Sequence, residues 1–267
     1  MIHEERPASP LAIALFGPFD VRLDGHPLPR PRSQKTHWLL ALLALQEGRA
    51  LERTWLAGAL WPDSTEEQAA HNLRNSLWCL RQALGPEARR LEAPTTHTLR
   101  LDLVGAEADL LIFDEAIARG DAPSLEQAVA LHRGPLLQGC VEEWVLQERE
   151  AREQAYLAAL ETLAAHAMAR GEPTAGVRHL RRLLAVDPLR ESAQRTLMQA
   201  LASAGEYAAA TQTYRDLRLL LHRELNTAPS PETAALYQQL RAQAHERARE
   251  RGRETATGAA RARRSLR

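Results

Sequence analysis

The stretch AAHNLRNSLWCLRQALG, residues 69–85, constrains the fold of this chain more than any other, because its pattern allows one main conformation. Four leucines recur at steps of four, three and four residues: Leu73, Leu77, Leu80 and Leu84. That spacing marks one stripe of an α-helix. The sequence therefore predicts a helix whose leucine stripe is buried against a core.

The opposite face of this helix carries amides, guanidinium groups and an aromatic ring, with no carboxylate between Ala69 and Leu84. Side chains of these types bind base edges and phosphates in the major groove of DNA. We assign base reading to seven residues: His71, Asn72, Arg74, Asn75, Trp78, Arg81 and Gln82. A contact face for another helix is the alternative that this stretch alone leaves open.

The segments around this helix predict an α+β winged helix-turn-helix. Upstream, an alternating apolar run meets Asp24-Gly25, a strong hairpin signal. Two helices follow, one opening at Ser33 and a shorter one stopped by Pro62; Asp63, Ser64 and Thr65 then offer overlapping capping boxes. Downstream, ARRLEAPTTHTLRLDL is typical of two strands around a turn.

In the winged fold the third helix enters the major groove, and the hairpin, or wing, lies along the backbone or minor groove. The third helix falls on the amide-rich stretch, so two independent patterns favour DNA binding. We assign phosphate or wing contacts to a second set of residues: Arg32, Ser33, Lys35, Arg53, Thr96, His97 and Arg100.

A repeat of 34 residues marks the second half of the chain, where strand patterns disappear. Shifted by that length, Leu163 meets Leu197, Gly171 meets Gly205, Gly176 meets Ala210 and Leu183 meets Leu217. This period is typical of tetratricopeptide helix pairs. Two units are too few to bury a core alone, so neighbouring helices are expected to pack as further units or caps.

The predicted architecture is thus a winged helix-turn-helix followed by an all-α, tetratricopeptide-like repeat domain. We place a disordered N-terminus at 1–10, the winged domain at 11–104, the repeat domain at 105–240 and a basic, disordered tail at 241–267. Residues 11–104 hold 11 Lys and Arg against 10 Asp and Glu, whereas residues 105–240 hold 13 against 19. A nearly neutral winged domain argues against strong non-specific binding of nucleic acid.

Other kinds of site find no support in the sequence. No two histidines lie within five residues of each other, and Cys79 and Cys140 have no paired spacing, so we expect neither a metal site nor a disulfide. No GxSxG or GxxxxGK[ST] motif occurs. We expect no catalytic residue, no cofactor and no nucleotide-binding ATPase domain in this chain. No apolar run approaches the roughly 20 residues of a membrane span, and we expect a cytoplasmic protein.

The tryptophans divide into two groups. Trp55, Trp61 and Trp144 lie in apolar helix patterns and are predicted to be core residues. Trp78 lies opposite the leucine stripe, so it is predicted to pack on DNA or on a neighbouring protomer.

Five segments resemble those of one bacterial family: LFGPFDVRLDGHPL, ALWPDSTEEQAAHNLRNSLWCLRQALG, ADLLIFDEA, LHRGPLL with EEWVLQERE, and LLLHRELNTAPSPETAALYQQL. In this order and spacing, from Leu15 to Gln239, they are similar to transcriptional activators of the antibiotic regulatory protein (SARP) family. Those proteins join an OmpR-like winged helix to a bacterial transcriptional activator domain that contains tetratricopeptide repeats. The resemblance implies an activator that binds direct repeats in promoter DNA, often as a pair of protomers, and contacts RNA polymerase.

The chain departs from the family pattern at two places near the expected DNA. His97-Thr98 stands where the wing often has Gly-Tyr, and Glu52 stands where the second helix usually has a Ser or Asp cap. We therefore expect the wing to depart from the family's DNA contacts more than the third helix does. The alternative function is a tetratricopeptide adaptor whose winged domain contacts proteins only.

Overall fold

The computed structural model describes residues 10–29 and 33–265, with side chains up to residue 249. The chain forms two compact units, Met1–Ala159 and Leu160–Arg267. The division predicted after residue 104 lies inside the first unit, and a winged domain that folds by itself stays a prediction. The N-terminal segment 1–9 lies outside the described residues, so the expectation of disorder there is also a prediction.

A four-stranded sheet opens the first unit, with strand order β3-β2-β1-β7. Its strands are β1 (Leu11–Ala14), β2 (Asp20–Leu23), β3 (His26–Pro27) and β7 (Glu107–Ala108). β2 and β3 form the predicted hairpin around Asp24 and Gly25, whose φ angles are 46° and 79°. β7 pairs with β1 in parallel, so the segment after the predicted wing returns to the first strand.

The next elements form the helix-turn-helix and the wing. Three helices, α1 (Gln34–Leu45), α2 (Arg53–Leu60) and α3 (Glu66–Leu84), precede a 3-10 helix at Gly85–Arg90. A second sheet has the order β4-β6-β5 and contains β4 (Leu51–Glu52), β5 (Leu91–Glu92) and β6 (Thr98–Leu101). These elements confirm the predicted α+β winged fold.

The core of this region is leucine-rich, with one buried polar contact between helices. Leu39 of α1, Leu60 of α2 and Leu80 of α3 are fully buried. Thr36 Oγ1 donates to Ser76 Oγ at 3.2 Å, so the two buried hydroxyls of α1 and α3 bond each other. This pairing removes the cost of burying hydroxyl groups without partners.

The core prediction for Trp55 was wrong, because its side chain is 47% exposed. α2 buries Leu56, Ala57 and Leu60, and Trp55 projects from another side of the same helix. In an apolar helix of only 8 residues, no polar face showed which side meets water. Trp61 and Trp144 are half-buried.

Helices of the predicted repeat domain also pack on the first sheet. The first unit includes α4 (Asp109–Arg119), α5 (Ala122–Leu131) and the beginning of α6 (Glu143–Ala169). The Asp109 carboxylate accepts from the backbone N–H of Leu15 at 2.7 Å, from that of Phe16 at 3.1 Å and from Arg133 Nη2 at 3.1 Å. Burial raises the pKa of Asp109, and these donors act in the opposite direction. The rings of Phe16 and Phe113 lie 4.8 Å apart beside this carboxylate.

The second unit contains the end of α6, α7 (Pro173–Val186), α8 (Glu191–Ser203), α9 (Tyr207–Leu225) and α10 (Pro231–Ser265). Its two turns repeat each other at the predicted spacing. Gly171 and Gly205 have φ angles of 73° and 84°. Their N–H groups donate to Met168 and Ala202, and the next residues, Glu172 and Glu206, donate to Ala167 and Leu201. These equivalent bonds confirm the tetratricopeptide-like fold.

The chain after residue 241 differs from the predicted disordered tail, because α10 continues to Ser265. Arg, Ala and Glu dominate this segment, and all three favour helix locally. The loss of apolar periodicity in the sequence therefore does not mark the end of the helix. Among the described helices, none combines the length and the apolar character that a membrane crossing requires.

Candidate nucleic-acid interface

α3 has a defined beginning and end. Thr65 Oγ1 accepts from the Gln68 backbone N–H, and Gln68 Oε1 accepts from the Thr65 N–H, each at 3.3 Å. Of the overlapping capping boxes in the sequence, the structure uses this one. Gly85 ends the helix with a φ of 53°. Because both ends are set by local bonds, the helix presents its faces in one register.

The two faces of α3 have the predicted burial. The leucine stripe is at most 3% exposed, whereas Trp78 on the other side is 64% exposed. His71, Arg74, Asn75, Arg81 and Gln82 are also exposed, and Asn72 is half-buried. The predicted direction of the helix is therefore confirmed, while contact with DNA stays a prediction.

His71 and Asn75 form a side-chain pair on the exposed face. Asn75 Nδ2 donates to His71 Nε2 at 2.9 Å. An asparagine amide can bond an adenine edge through both its donor and its acceptor. The bond to His71 orients this amide before any partner arrives.

The wing tip is shaped by hydroxyl groups. Thr95 Oγ1 accepts from the N–H of His97 at 3.2 Å and from that of Thr98 at 3.1 Å. Thr96 and His97 are exposed at the tip. The His97 carbonyl accepts from the Arg53 N–H at 2.8 Å, which connects the wing tip to the first residue of α2.

The two departures from the family pattern meet at this bond. Glu52 is the residue before α2, and its side chain makes no capping bond. The free N–H groups at a helix start need acceptors, and the wing carbonyl supplies one for Arg53.

The predicted phosphate contacts are dispersed. Lys35 Nζ pairs with Glu142 at 2.8 Å, and Arg100 Nε pairs with Glu92 at 2.5 Å, so each cation already has a carboxylate partner. Ser33 is exposed just before α1, and Arg32 lies outside the described residues. The partner of Lys35 is 107 residues away, and no local sequence pattern could have indicated it.

Arg53 differs from these cations. It is half-buried, and its Nε–H is buried with no acceptor among the described residues. It lines a cavity of about 670 Å³ between α2, the first turns of α3 and Thr96. Sequence reasoning missed this cavity, because its lining comes from separate segments with no shared motif. Within the described part of the chain, no group of three or more His, Cys, Asp and Glu side chains is arranged to hold a metal ion.

Comparison with known proteins gives a family match over residues 114–241, to the bacterial transcriptional activator domain. The regulatory protein AfsR of Streptomyces coelicolor is 30% identical in an alignment 247 residues long, which covers 89% of this chain and 25% of AfsR. The transcriptional regulatory protein MoaR1 of Mycobacterium tuberculosis is 28% identical over 85% of this chain and 78% of its own length. The chain thus spans about a quarter of AfsR and most of MoaR1.

A solved structure has the same fold. EmbR of Mycobacterium tuberculosis, in complex with a low-affinity phosphopeptide, gives a TM-score of 0.67 at 24% identity, over 93% of this chain and 70% of EmbR. The fold, the activator domain and the similarity to these regulators lead to one assignment. The chain contains a bacterial transcriptional activator domain and is similar over most of its length to bacterial transcriptional regulators of the antibiotic regulatory protein (SARP) type.

Proposed function

We propose that this chain is a sequence-specific transcriptional activator that places α3 in the major groove of promoter DNA. The observation that carries the proposal is the exposed face of α3 between Ala69 and Leu84, which holds no carboxylate and lies opposite a fully buried leucine stripe. The regulator names of the relatives support the same function. We propose the cytoplasm as its place of action.

The residues of this face have separate proposed roles. Arg74 and Arg81 lie seven residues apart, two helical turns, so they reach two places along one groove. A guanidinium group can bond guanine through two atoms or pair with phosphate. The amide of Asn75 is proposed to read adenine, and Trp78 to pack on a thymine methyl or sugar. Asn72, His71 and Gln82 complete the base-reading set.

Contacts outside α3 are proposed to come mainly from the wing tip. Thr96 and His97 are exposed there, and neither needs to break an ion pair to meet DNA. Lys35 and Arg100 would have to leave Glu142 and Glu92 first. We therefore expect the wing tip to matter more than these two cations.

The charge of the chain suggests how affinity and activation are divided. A winged region with 11 basic and 10 acidic residues attracts phosphate weakly, so a pair of protomers on direct repeats is proposed to supply affinity. Residues 105–240, with 13 basic and 19 acidic residues, are a poor partner for phosphate. We propose that they contact protein, including RNA polymerase.

The test is selection of bound sequences from a random double-stranded DNA library by the full chain. The selected sequence and a shuffled control are then compared at two salt concentrations, followed by transcription in vitro with RNA polymerase. We expect enrichment of a repeated motif, whose preference over the shuffled control persists at the higher salt, and stimulated transcription. A folded chain that enriches no sequence would instead favour the adaptor function.

A further inference from the structure

The cavity beside α3 has the size of a small-molecule site. Its volume of about 670 Å³ lies within the range of ligand pockets, roughly 300–1,000 Å³. The apolar part of its wall comes from Ala57, Trp61, Pro62, Ala69, Ala70 and Leu73. An aromatic ring among small apolar side chains can accept a flat apolar molecule.

The polar side of the cavity favours an anion. Two arginines, Arg53 and Arg74, and one acidic residue, Glu66, line the cavity, so basic residues outnumber acidic ones there. The buried Nε–H of Arg53 finds no acceptor among the described residues. A buried donor without an acceptor destabilises a protein, and a movement of the Arg53 side chain that brings its guanidinium group to a ligand oxygen would remove that cost. Guanidinium groups bind carboxylates with matched geometry.

Gly58 leaves part of this cavity open. It lines the cavity, and a Cβ built on it meets no atom within 4 Å. Its φ lies outside the left-handed region, so a side chain at this position strains no backbone. A side chain here would therefore begin in open space, and we expect a larger residue to extend into the cavity.

The cavity shares residues with the proposed DNA interface. Arg74 belongs to the exposed face of α3, and Thr96 belongs to the wing tip. A ligand anion that engages Arg74 would withdraw its guanidinium group from DNA and add negative charge beside the phosphates. Ligand and DNA are therefore expected to compete.

We propose that this cavity binds a small organic acid with a flat apolar body, whose carboxylate pairs with Arg53 and Arg74, and that the acid lowers DNA affinity. The competition rests on the proposed DNA-binding function; binding of the acid does not.

The experiment uses the full chain and 6-fluoro-2-naphthoate as probe, followed by fluorine NMR. The uncharged 6-fluoro-2-naphthamide is the matched control ligand. We expect the naphthoate to bind more tightly than the amide. Arg53→Ala should weaken it about tenfold, the loss expected for one charge-assisted hydrogen bond. Arg218→Ala removes an exposed arginine of α9 and should leave binding unchanged.

Gly58→Leu provides a second variant that does not depend on Arg53. It should abolish naphthoate binding while circular dichroism and thermal unfolding show a folded chain. Equal binding of the naphthoate to Gly58→Leu, or equal binding of the amide, would overturn the inference. A folded Gly58→Leu that loses DNA binding would contradict the regulatory part alone, because the cavity itself would then be part of the DNA contact.

Competition is measured with the selected DNA repeat. The naphthoate should displace this DNA from the natural chain but not from Gly58→Leu; saturation without displacement would contradict the regulatory part. If the naphthoate binds as expected and the chain enriches no DNA sequence, the cavity assignment stands and the proposed function fails. If DNA is bound specifically and the naphthoate is not bound, the inference alone fails.

Discussion

At the residue scale, Arg74 and Arg81 test whether the exposed face of α3 determines the proposed sequence preference. Neither belongs to the buried leucine stripe, so Arg74→Ala and Arg81→Ala should leave thermal unfolding nearly unchanged. Loss of an arginine that reads guanine should cost about 1–3 kcal/mol of binding free energy and relax the preference at one base. Loss of an arginine that contacts only phosphate should weaken binding to all sequences alike and lower the slope of affinity against salt concentration by about one. Fluorescence anisotropy with the selected and shuffled DNA distinguishes the two.

The matched control for these variants is Arg218→Ala, an exposed arginine in the acidic repeat region. It removes the same charge and should leave DNA affinity within error. Unchanged affinity in both α3 variants would contradict the proposed docking face.

Leu77→Ala tests the other face of the same helix. The leucine is 2% exposed, and truncation of a buried leucine typically costs about 2–5 kcal/mol of unfolding free energy. Chemical denaturation should show this loss, and DNA binding should fail through unfolding. Gln82→Ala, on the exposed face, should change stability by less than about 0.5 kcal/mol. Equal stability of the two variants would mean that the leucine stripe does not pack in the core.

Glu87 gives a pH-dependent contribution to stability. The hydrogen bond from Arg90, 2.5 Å from Nε to the carboxylate, lowers the pKa of Glu87 although burial acts against it. A lowered acid pKa stabilises the fold above the ordinary pKa, and this contribution disappears as the pH falls through the lowered value. Glu87→Gln should therefore cost about 1.5–3 kcal/mol near neutral pH and much less in acid.

Urea unfolding of Glu87→Gln and the natural chain, from about pH 7 down to about pH 3, measures this difference. Glu92→Gln breaks an exposed pair with Arg100 and should cost less than about 1 kcal/mol. A stability difference for Glu87→Gln that does not shrink in acid would show that the ion pair is not its source.

The burial of individual residues was predictable where a periodic sequence pattern indicates which side of a helix they occupy. The leucines of α3 and the polar side chains opposite them follow the helix period, so their burial could be inferred from sequence. The engagement of Lys35 with Glu142 depends on a contact across 107 positions, which no local pattern contains. The same limit applies to the unpaired Nε–H of Arg53.

At the element scale, the first repeat crossing depends on Gly176. A Cβ there would lie 3.1 Å from Met168 Sδ and 3.5 Å from the Ala164 carbonyl. Gly176→Val should therefore lower the melting temperature of the second unit, because overpacking typically costs about 1–3 kcal/mol. Gly58→Ala is the matched control: no atom lies within 4 Å of its Cβ, and replacing a helix glycine should add about 0.5–1 kcal/mol. Calorimetry should show opposite shifts, and a stabilised Gly176→Val would contradict the close crossing.

Elements were predictable where caps and turns have local signals. Asp24-Gly25, the Thr65–Gln68 box and the paired glycines 171 and 205 each determine a turn or helix end within a few residues. α10 was misjudged because helix propensity and apolar periodicity are different signals, and only the second was used. The pairing of β7 with β1 had no local signal, because the two strands are far apart in the sequence and β7 comes after the wing.

At the scale of the whole molecule, the first compact unit extends well past the wing. A fragment of residues 1–159 should unfold in one cooperative transition, whereas residues 1–105 lack Asp109 and Phe113 and expose Leu15 and Phe16, which are at most 1% exposed in the full chain. We expect a lower denaturation midpoint for the shorter fragment and retained sequence preference in the longer one. Equal midpoints would show that the winged domain folds without the helices that follow it.

The Asp109 contacts also limit how winged regions can be exchanged between relatives, in evolution or in the laboratory. A crossover at residues 104–105 would combine Leu15 and Phe16 from one parent with Asp109, Phe113 and Arg133 from the other. In such a chimera, the Asp109 carboxylate can accept from the backbone N–H groups of Leu15 and Phe16 only if both parents place the loop that contains these two residues in the same way. Recombinants with a new operator preference are therefore expected to inherit the first strand and the helices up to about residue 159 together.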